Sequence, residues 1–239
     1  MESFSRVKLL IGSENFNKIK QSSVAVFGVG GVGGYVIEAL ARSGVGNISV
    51  FDSDAVAETN LNRQIIANVN NIGQDKVDAV KERVLSINPD AKVNCHKVFY
   101  LPENAEQFDL SKYDYVVDAI DTVSAKLEII SRSKNAGVPV ISCMGTGGKI
   151  DPTLLKVADI EKTSGCPLAR VMRRELKKRD ISGVKVVFSE EKVSICESET
   201  YDAEKTASER IVPPSMIFVP ASAGLMIAKE VVFDIINEK

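Results

Sequence analysis

Near the N-terminus, Gly28-Val29-Gly30-Gly31-Val32-Gly33 has the spacing G-x-G-x-x-G. It lies between an apolar run, Ser23–Phe27, and a stretch with apolar residues at Val36, Ala39 and Leu40. That is the strand–turn–helix context a phosphate-binding turn needs. In such a turn Gly28 permits the sharp bend, Gly30 lets backbone approach phosphate, and Gly33 allows close helix–strand packing. The N–H groups opening the helix would then face an anion. Asp52, about 20 residues on and ending the next apolar run, stands where an acid holds ribose hydroxyls. These residues alone are equally compatible with NAD and ATP.

The following stretch, "DSDAVAETNLNRQIIANVNNIGQDK", favours a triphosphate. Asn60, Asn62, Arg63 and Gln64 crowd in behind the ribose acid. A guanidinium at Arg63 can fork to phosphate oxygens, and Lys76 supplies a second cation. Asp121 follows a fourth apolar run, at the strand end where open α/β sheets bind ligands. A carboxylate beside a triphosphate suits Mg²⁺. Other chemistries are poorly supplied. The single histidine, His96, lies in an expected strand and reads as a packing residue. Cys95, Cys143, Cys166 and Cys196 are scattered with no CxxC, so no zinc site is expected. Reduced cysteines fit a cytoplasmic protein. Neither the mixed-charge start "MESFSRVKLL" nor the proline-interrupted apolar stretch at 211–228 resembles a leader or a membrane span.

The elements that must position these groups follow from periodicity. Strands are expected at Ser23–Phe27, Asn47–Phe51, 92–98, 115–120 and 138–143. Helices are expected at 32–43, at 73–87 and from the Asp121-Thr122 cap to 136, with Gly137 as stop. This alternation predicts an α/β fold, a Rossmann-like, doubly wound, mostly parallel sheet. Residues 153–239 are expected to elaborate it with a basic helix at 167–179, a strand at 184–188, a mobile acidic loop at 190–210, a strand at 216–219 and a closing helix at 221–236. No internal repeat or linker breaks the 239 residues, which read as one domain with its nucleotide-binding core at 1–152. Net charge is −2, so no general basic field advertises nucleic acid. Arg170, Arg173, Arg174, Lys177 and Lys178 nevertheless share one helical stripe.

"GVGGVGG", "FDSDAVAETNLNRQ", "GQDK" and "VVDAIDT" resemble the adenylating domain of the ubiquitin-activating superfamily, over residues 5–152. Its members activate a carboxylate with ATP. The resemblance implies phosphate contacts from Gly30, Gly31, Gly33, Asn60, Arg63 and Lys76, ribose binding by Asp52, and Mg²⁺ positioning by Asp121. It also implies a homodimer in which Arg6 reaches the partner subunit's ATP. Thr122 departs from the Asn common in this family after that Asp.

Within the superfamily two branches are considered. Enzymes that adenylate the C-terminus of a ubiquitin-like sulfur carrier usually have paired CxxC zinc ligands, absent here. The stretches "GTGGKIDPTLLKVADIEKTSGCPLARVMRRELKKRDI", "VVFSEE" and "SMIFVPASAGLMIAKEVV" instead resemble the tRNA threonylcarbamoyladenosine dehydratase branch, extending the match over nearly the whole chain. That branch implies ATP-dependent cyclisation of the modification on adenosine 37 of tRNA, with the basic stripe on tRNA and a possible sulfur-transfer protein as partner. Cys166 stands where the branch usually has Asp before "PLA".

Overall fold

Short runs rich in Val, Ile and Phe are suited to a pleated surface buried on both sides. In the computed structural model, which describes residues 2–193 and 213–237, they form seven strands of one sheet. These are β1 (Ser23–Phe27), β2 (Asn47–Phe51), β3 (Lys92–His96), β4 (Tyr115–Asp118), β5 (Val140–Cys143), β6 (Leu155–Asp159) and β7 (Lys185–Ser189). Their order is β3-β2-β1-β4-β5-β7-β6, parallel throughout except for β6 against β7. Alternate residues face opposite layers. Val24 and Val26 of β1 join a core with α3 (Gly33–Ser43), α4 (Lys76–Ile87) and α7 (Phe218–Asn237). Ala25 and Phe27 join the other core, with α5 (Val123–Asn135) and α6 (Pro167–Lys178).

Several boundaries differ from expectation. The helix expected from 73 begins at Lys76, because 73–75 turns back on the segment after β2. Val56 N donates to Gln74 O at 2.8 Å, and Gly73 N donates to Val56 O at 2.8 Å. Those backbone groups cannot also serve a helix. Strands β3, β4 and β5 are shorter than the runs 92–98, 115–120 and 138–143, since their ends peel into loops. Thr122 stands at the N-cap of α5, with extended backbone. The strand expected at 216–219 is not one. Phe218 and Val219 open α7, with Pro220 in the first turn, where its missing N–H costs no helical bond. The sheet instead gains β6, whose edge position the pattern did not disclose, and the chain begins with two unexpected helices, α1 (Ser5–Ile11) and α2 (Ser13–Gln21). The C-terminal third elaborates the fold as expected: β6 and β7 extend the sheet and α7 packs on α3. Of the expected acidic loop at 190–210, residues 194–210 lie outside the described residues, as does Cys196. Among the described residues no helix is long and apolar enough to cross a membrane.

Candidate active site

The chain leaves β1 towards one flank of the sheet and β4 towards the other, so a crevice opens beyond their C-terminal ends, the usual ligand position in such sheets. A cleft of about 540 Å³ occupies it. The glycine turn forms one wall. Gly28 has φ 91°, and a Cβ there would meet Ala119 O, across the crevice, at 2.7 Å. A Cβ on Gly33 would overlap the carbonyl oxygen of Gly28. Gly33 thus shapes the turn from behind, and does not line the cleft as Gly28, Gly30 and Gly31 do.

Asp52 also lines the cleft, where its carboxylate accepts from Val29 N at 2.6 Å and from Asp54 N at 2.9 Å. The acid is therefore oriented by the turn it faces. Asn60 is buried, its Oδ1 accepting from Ala57 N at 3.1 Å. Arg63 lies half-buried against Gly31, anchored by Nη1 donating to Thr59 O at 2.7 Å and to Asn62 Oδ1 at 2.9 Å. Burial pulls its pKa down from an arginine's ordinary value, leaving it a cation at neutral pH. Lys76 is buried and its Nζ donates to Asp54 Oδ2 at 2.7 Å. Asp121 is exposed on the wall after β4. The sequence-predicted nucleotide residues other than Gly33 thus converge on this one cleft.

Sequence reasoning missed part of the lining. Val98, Phe99 and Tyr100 follow β3; Met144, Gly145, Thr146 and Gly147 follow β5; Leu168 lies in the first turn of α6. Each lies shortly beyond a strand or at a helix start, so the strand-end rule applied to every strand would have found most of them. Asp54, two residues after Asp52, was also passed over. Beneath the β3 side, Phe27 stacks on Phe51 at 4.2 Å and His96 on Phe51 at 4.3 Å, so the histidine packs as expected. Burial lowers the His96 pKa and pushes Tyr100 up to about 12, leaving both neutral at pH 7. Cys143 touches the cleft, yet burial pushes its thiol up to about 12, a poor nucleophile.

Two expected groups lie elsewhere. Arg6, on α1, is exposed and outside the cleft of its own chain. The basic stripe lies on α6, whose first turn reaches the cleft through Leu168. Arg170, Arg174, Lys177 and Lys178 are exposed there. Arg173 differs, being half-buried with Nη1 donating to Thr163 O and Oγ1, both at 2.6 Å. It secures the chain entering α6.

A switch-point cleft that combines a glycine turn, the carboxylates of Asp52 and Asp121 and the cations Arg63 and Lys76 has the make-up of a nucleotide site, and the chain belongs to the ThiF family, whose profile matches residues 4–238. Among individual proteins, it is 42% identical to the tRNA threonylcarbamoyladenosine dehydratase of Bacillus subtilis, over 100% of this chain and 96% of that protein. The crystal structure of the Escherichia coli tRNA N6-threonylcarbamoyladenosine dehydratase, TcdA, in complex with ATP superposes with a TM-score of 0.87 at 32% identity, covering 98% of this chain and 93% of that one. Likeness to the sulfur-carrier side is more partial. The probable adenylyltransferase/sulfurtransferase MoeZ of Mycobacterium tuberculosis is 33% identical over 55% of this chain and 33% of its own.

Proposed function

We propose that this chain uses ATP to dehydrate the threonylcarbamoyl group on adenosine 37 of tRNA into its cyclic form. The observation that carries the reading is the single cleft that gathers Gly30, Gly31, Asp52, Asn60, Arg63, Lys76 and Asp121 and reaches the first turn of a basic helix. Full-length likeness to the Bacillus subtilis dehydratase supports the choice of substrate.

Asp52 holds the ribose, while Gly30 and Gly31 bring backbone N–H groups to the phosphates. Arg63 and Lys76 offset the charge that builds on phosphate as the substrate carboxylate attacks it. For Lys76 this means exchanging Asp54 for a phosphate oxygen, with little cost because Asp54 is exposed. Mg²⁺ takes one or two carboxylates plus phosphate oxygens and water. Asp121, with Asp54 in the same cleft, fits that requirement. The metal, when bound, neutralises phosphate charge. The carboxylate's attack on the α-phosphate releases pyrophosphate, and a nucleophilic atom of the same modification then attacks the activated carboxyl carbon, closing the ring and expelling AMP. Held in place, such a nucleophile reaches an effective molarity of about 10⁵–10⁸ M. No enzyme thiol is needed, in keeping with the burial that raises the Cys143 thiol pKa.

The same reading makes the protein a cytoplasmic homodimer of one adenylating domain per chain, with Arg6 completing the neighbouring site and a sulfur-transfer protein as a possible partner. Support for the dimer comes from Leu9 and Leu10, one helical turn beyond Arg6 on α1, which stand 87% and 83% exposed. Phosphate contacts to tRNA come from Arg170, Arg174, Lys177 and Lys178, with Arg173 bracing the helix.

The test is incubation of the purified protein with ATP and tRNA bearing threonylcarbamoyladenosine, followed by mass spectrometry of the nucleoside. Loss of one water with stoichiometric AMP is the expected result. An unchanged nucleoside, with an adenylate formed on an added sulfur-carrier protein, would refute it.

A further inference from the structure

Beneath the cleft lies a charged group that the proposed chemistry does not use. Lys126 of α5 and Asp118 at the end of β4 are both fully buried and form an ion pair at 2.9 Å. The Lys126 ammonium spends its three N–H bonds on Asp118 Oδ2, on Ile120 O at 3.0 Å and on Cys143 O at 2.8 Å. Asp118 Oδ2 also accepts from Ser142 Oγ of β5 at 2.5 Å, and its Oδ1 accepts from Ile120 N at 3.4 Å. A buried pair of this kind contributes little net stability, and an apolar pair of similar volume often serves as well. Its value must be sought in the geometry it imposes.

One end of this group is held firmly. Cys143 is the last residue of β5, inside the sheet between β4 and β7, and Met144 N donates to Val187 O at 2.8 Å. Ser142 lies in the same strand. The other end is the Ile120–Asp121 peptide, which has no backbone hydrogen bond of its own among the described residues. Because a peptide unit is planar, fixing the carbonyl oxygen of Ile120 fixes the nitrogen of Asp121 and hence its Cα. The same segment presses on the glycine turn, where a Cβ on Gly28 would meet Ile120 Cγ2 at 3.0 Å.

The geometry points to Lys126 as a positioning residue for the reaction, one that holds the Ile120–Asp121 peptide against the β5 end so that the Asp121 carboxylate faces the ATP phosphates. This rests on the reading of Asp121 as a phosphate and Mg²⁺ residue. The ammonium is fully buried and does not line the cleft.

The test is a double-mutant cycle on turnover. Lys126→Met alone strands a buried carboxylate and is expected to fold poorly. Lys126→Met combined with Asp118→Asn removes both charges while keeping the shape, and is the informative variant. It is expected to unfold cooperatively, to bind ATP within about threefold of the parent, and to lose at least about tenfold in kcat, a loss confined to the reacting state. Introduced into Asp121→Ala, the same pair should cost less than about twofold more, because its effect passes through the missing carboxylate. A merely structural role would lower kcat by the same factor in both backgrounds. Parental kcat in the charge-free pair, or losses that multiply with Asp121→Ala, overturn the inference. Parental turnover in Asp121→Ala alone instead overturns the reading of Asp121, which separates the two failures.

Discussion

Lys76 shows how a single residue's surroundings decide what its loss will do. Its ammonium is buried, but its partner Asp54 keeps 61% of its side chain exposed. Lys76→Ala therefore leaves a carboxylate that water can solvate, and the fold should survive. Turnover should fall by about 10²–10³, the usual cost of removing one preorganised electrostatic contact. Single-turnover kinetics beside a thermal melt would check both halves; near-parental turnover removes Lys76 from the chemistry. Cysteine behaves oppositely. With its thiol at about 12 and buried, Cys143 should resist iodoacetamide in the native protein at pH 7.5, and Cys143→Ala should retain turnover. Loss of activity in that variant without loss of fold would point to a thiol step after all.

At the scale of elements, charge pairs tie helices to one another and expose them to pH. Glu38 of α3 is buried and accepts from Arg83 of α4 through Nε and Nη2, each at 2.9 Å, and from Arg42 Nε at 2.7 Å. Burial pushes its carboxyl up, but these hydrogen bonds outweigh it and hold the pKa below the usual carboxylate value. A lowered folded-state pKa contributes stability above the unfolded value of about 4.3, and that contribution is lost as pH falls through the folded value. Urea midpoints of the parent should thus drop more steeply between about pH 5 and pH 3 than those of Glu38→Gln; parallel curves would remove the pair from the acid response. Helix α6 carries a different kind of charge. Arg170 and Lys177 stand two turns apart on its exposed face and form no ion pair among the described residues, whereas Arg174 and Lys178 both pair with Glu175. Arg170→Glu with Lys177→Glu should weaken tRNA binding, leave ATP affinity unchanged, and flatten log K against log[salt] by about 0.7–0.9 per lost contact. Titrations at several salt concentrations measure this, and undiminished tRNA affinity would move the interface elsewhere. Arg173 is the wrong residue to test there, since removing it also loosens Thr163.

For the whole molecule, a net charge of −2 with a basic helix at the cleft means that positive charge is concentrated where an anionic substrate would arrive. The proposed dimer has its own signature. If Arg6 serves the neighbouring site, subunits carrying Arg6→Ala and subunits carrying Lys76→Ala are each inactive. Mixed equally, they form heterodimers with one intact site, and about a quarter of all sites should recover. Activity measured after confirmed subunit exchange decides it; no recovery means that Arg6 acts within its own chain, and an active Arg6→Ala homodimer means that it has no role.

Much of this was legible from residue order alone, because the determining physics is local. Periodicity placed strands at Ser23–Phe27 and Asn47–Phe51, and the glycine spacing marked the phosphate turn. The strand-end rule picked out Asp52 and Asp121, and Arg63 and Lys76 in the next stretch argued for a triphosphate. Other features depend on partners distant in sequence. The run 155–159 becomes a strand only because β7 offers an antiparallel edge, and of 216–219 the last two residues, Phe218 and Val219, become the first turn of α7. Arg173 looked like one cation of a stripe until folding set it beside Thr163. Lys126 had no visible role until folding set its ammonium between Asp118, Ile120 and Cys143, a contact between α5 and β5 bridging 17 residues of sequence. Pairings of that kind are decided by which side chains the sheet order brings within about 3 Å of each other, and no periodicity or motif encodes that distance.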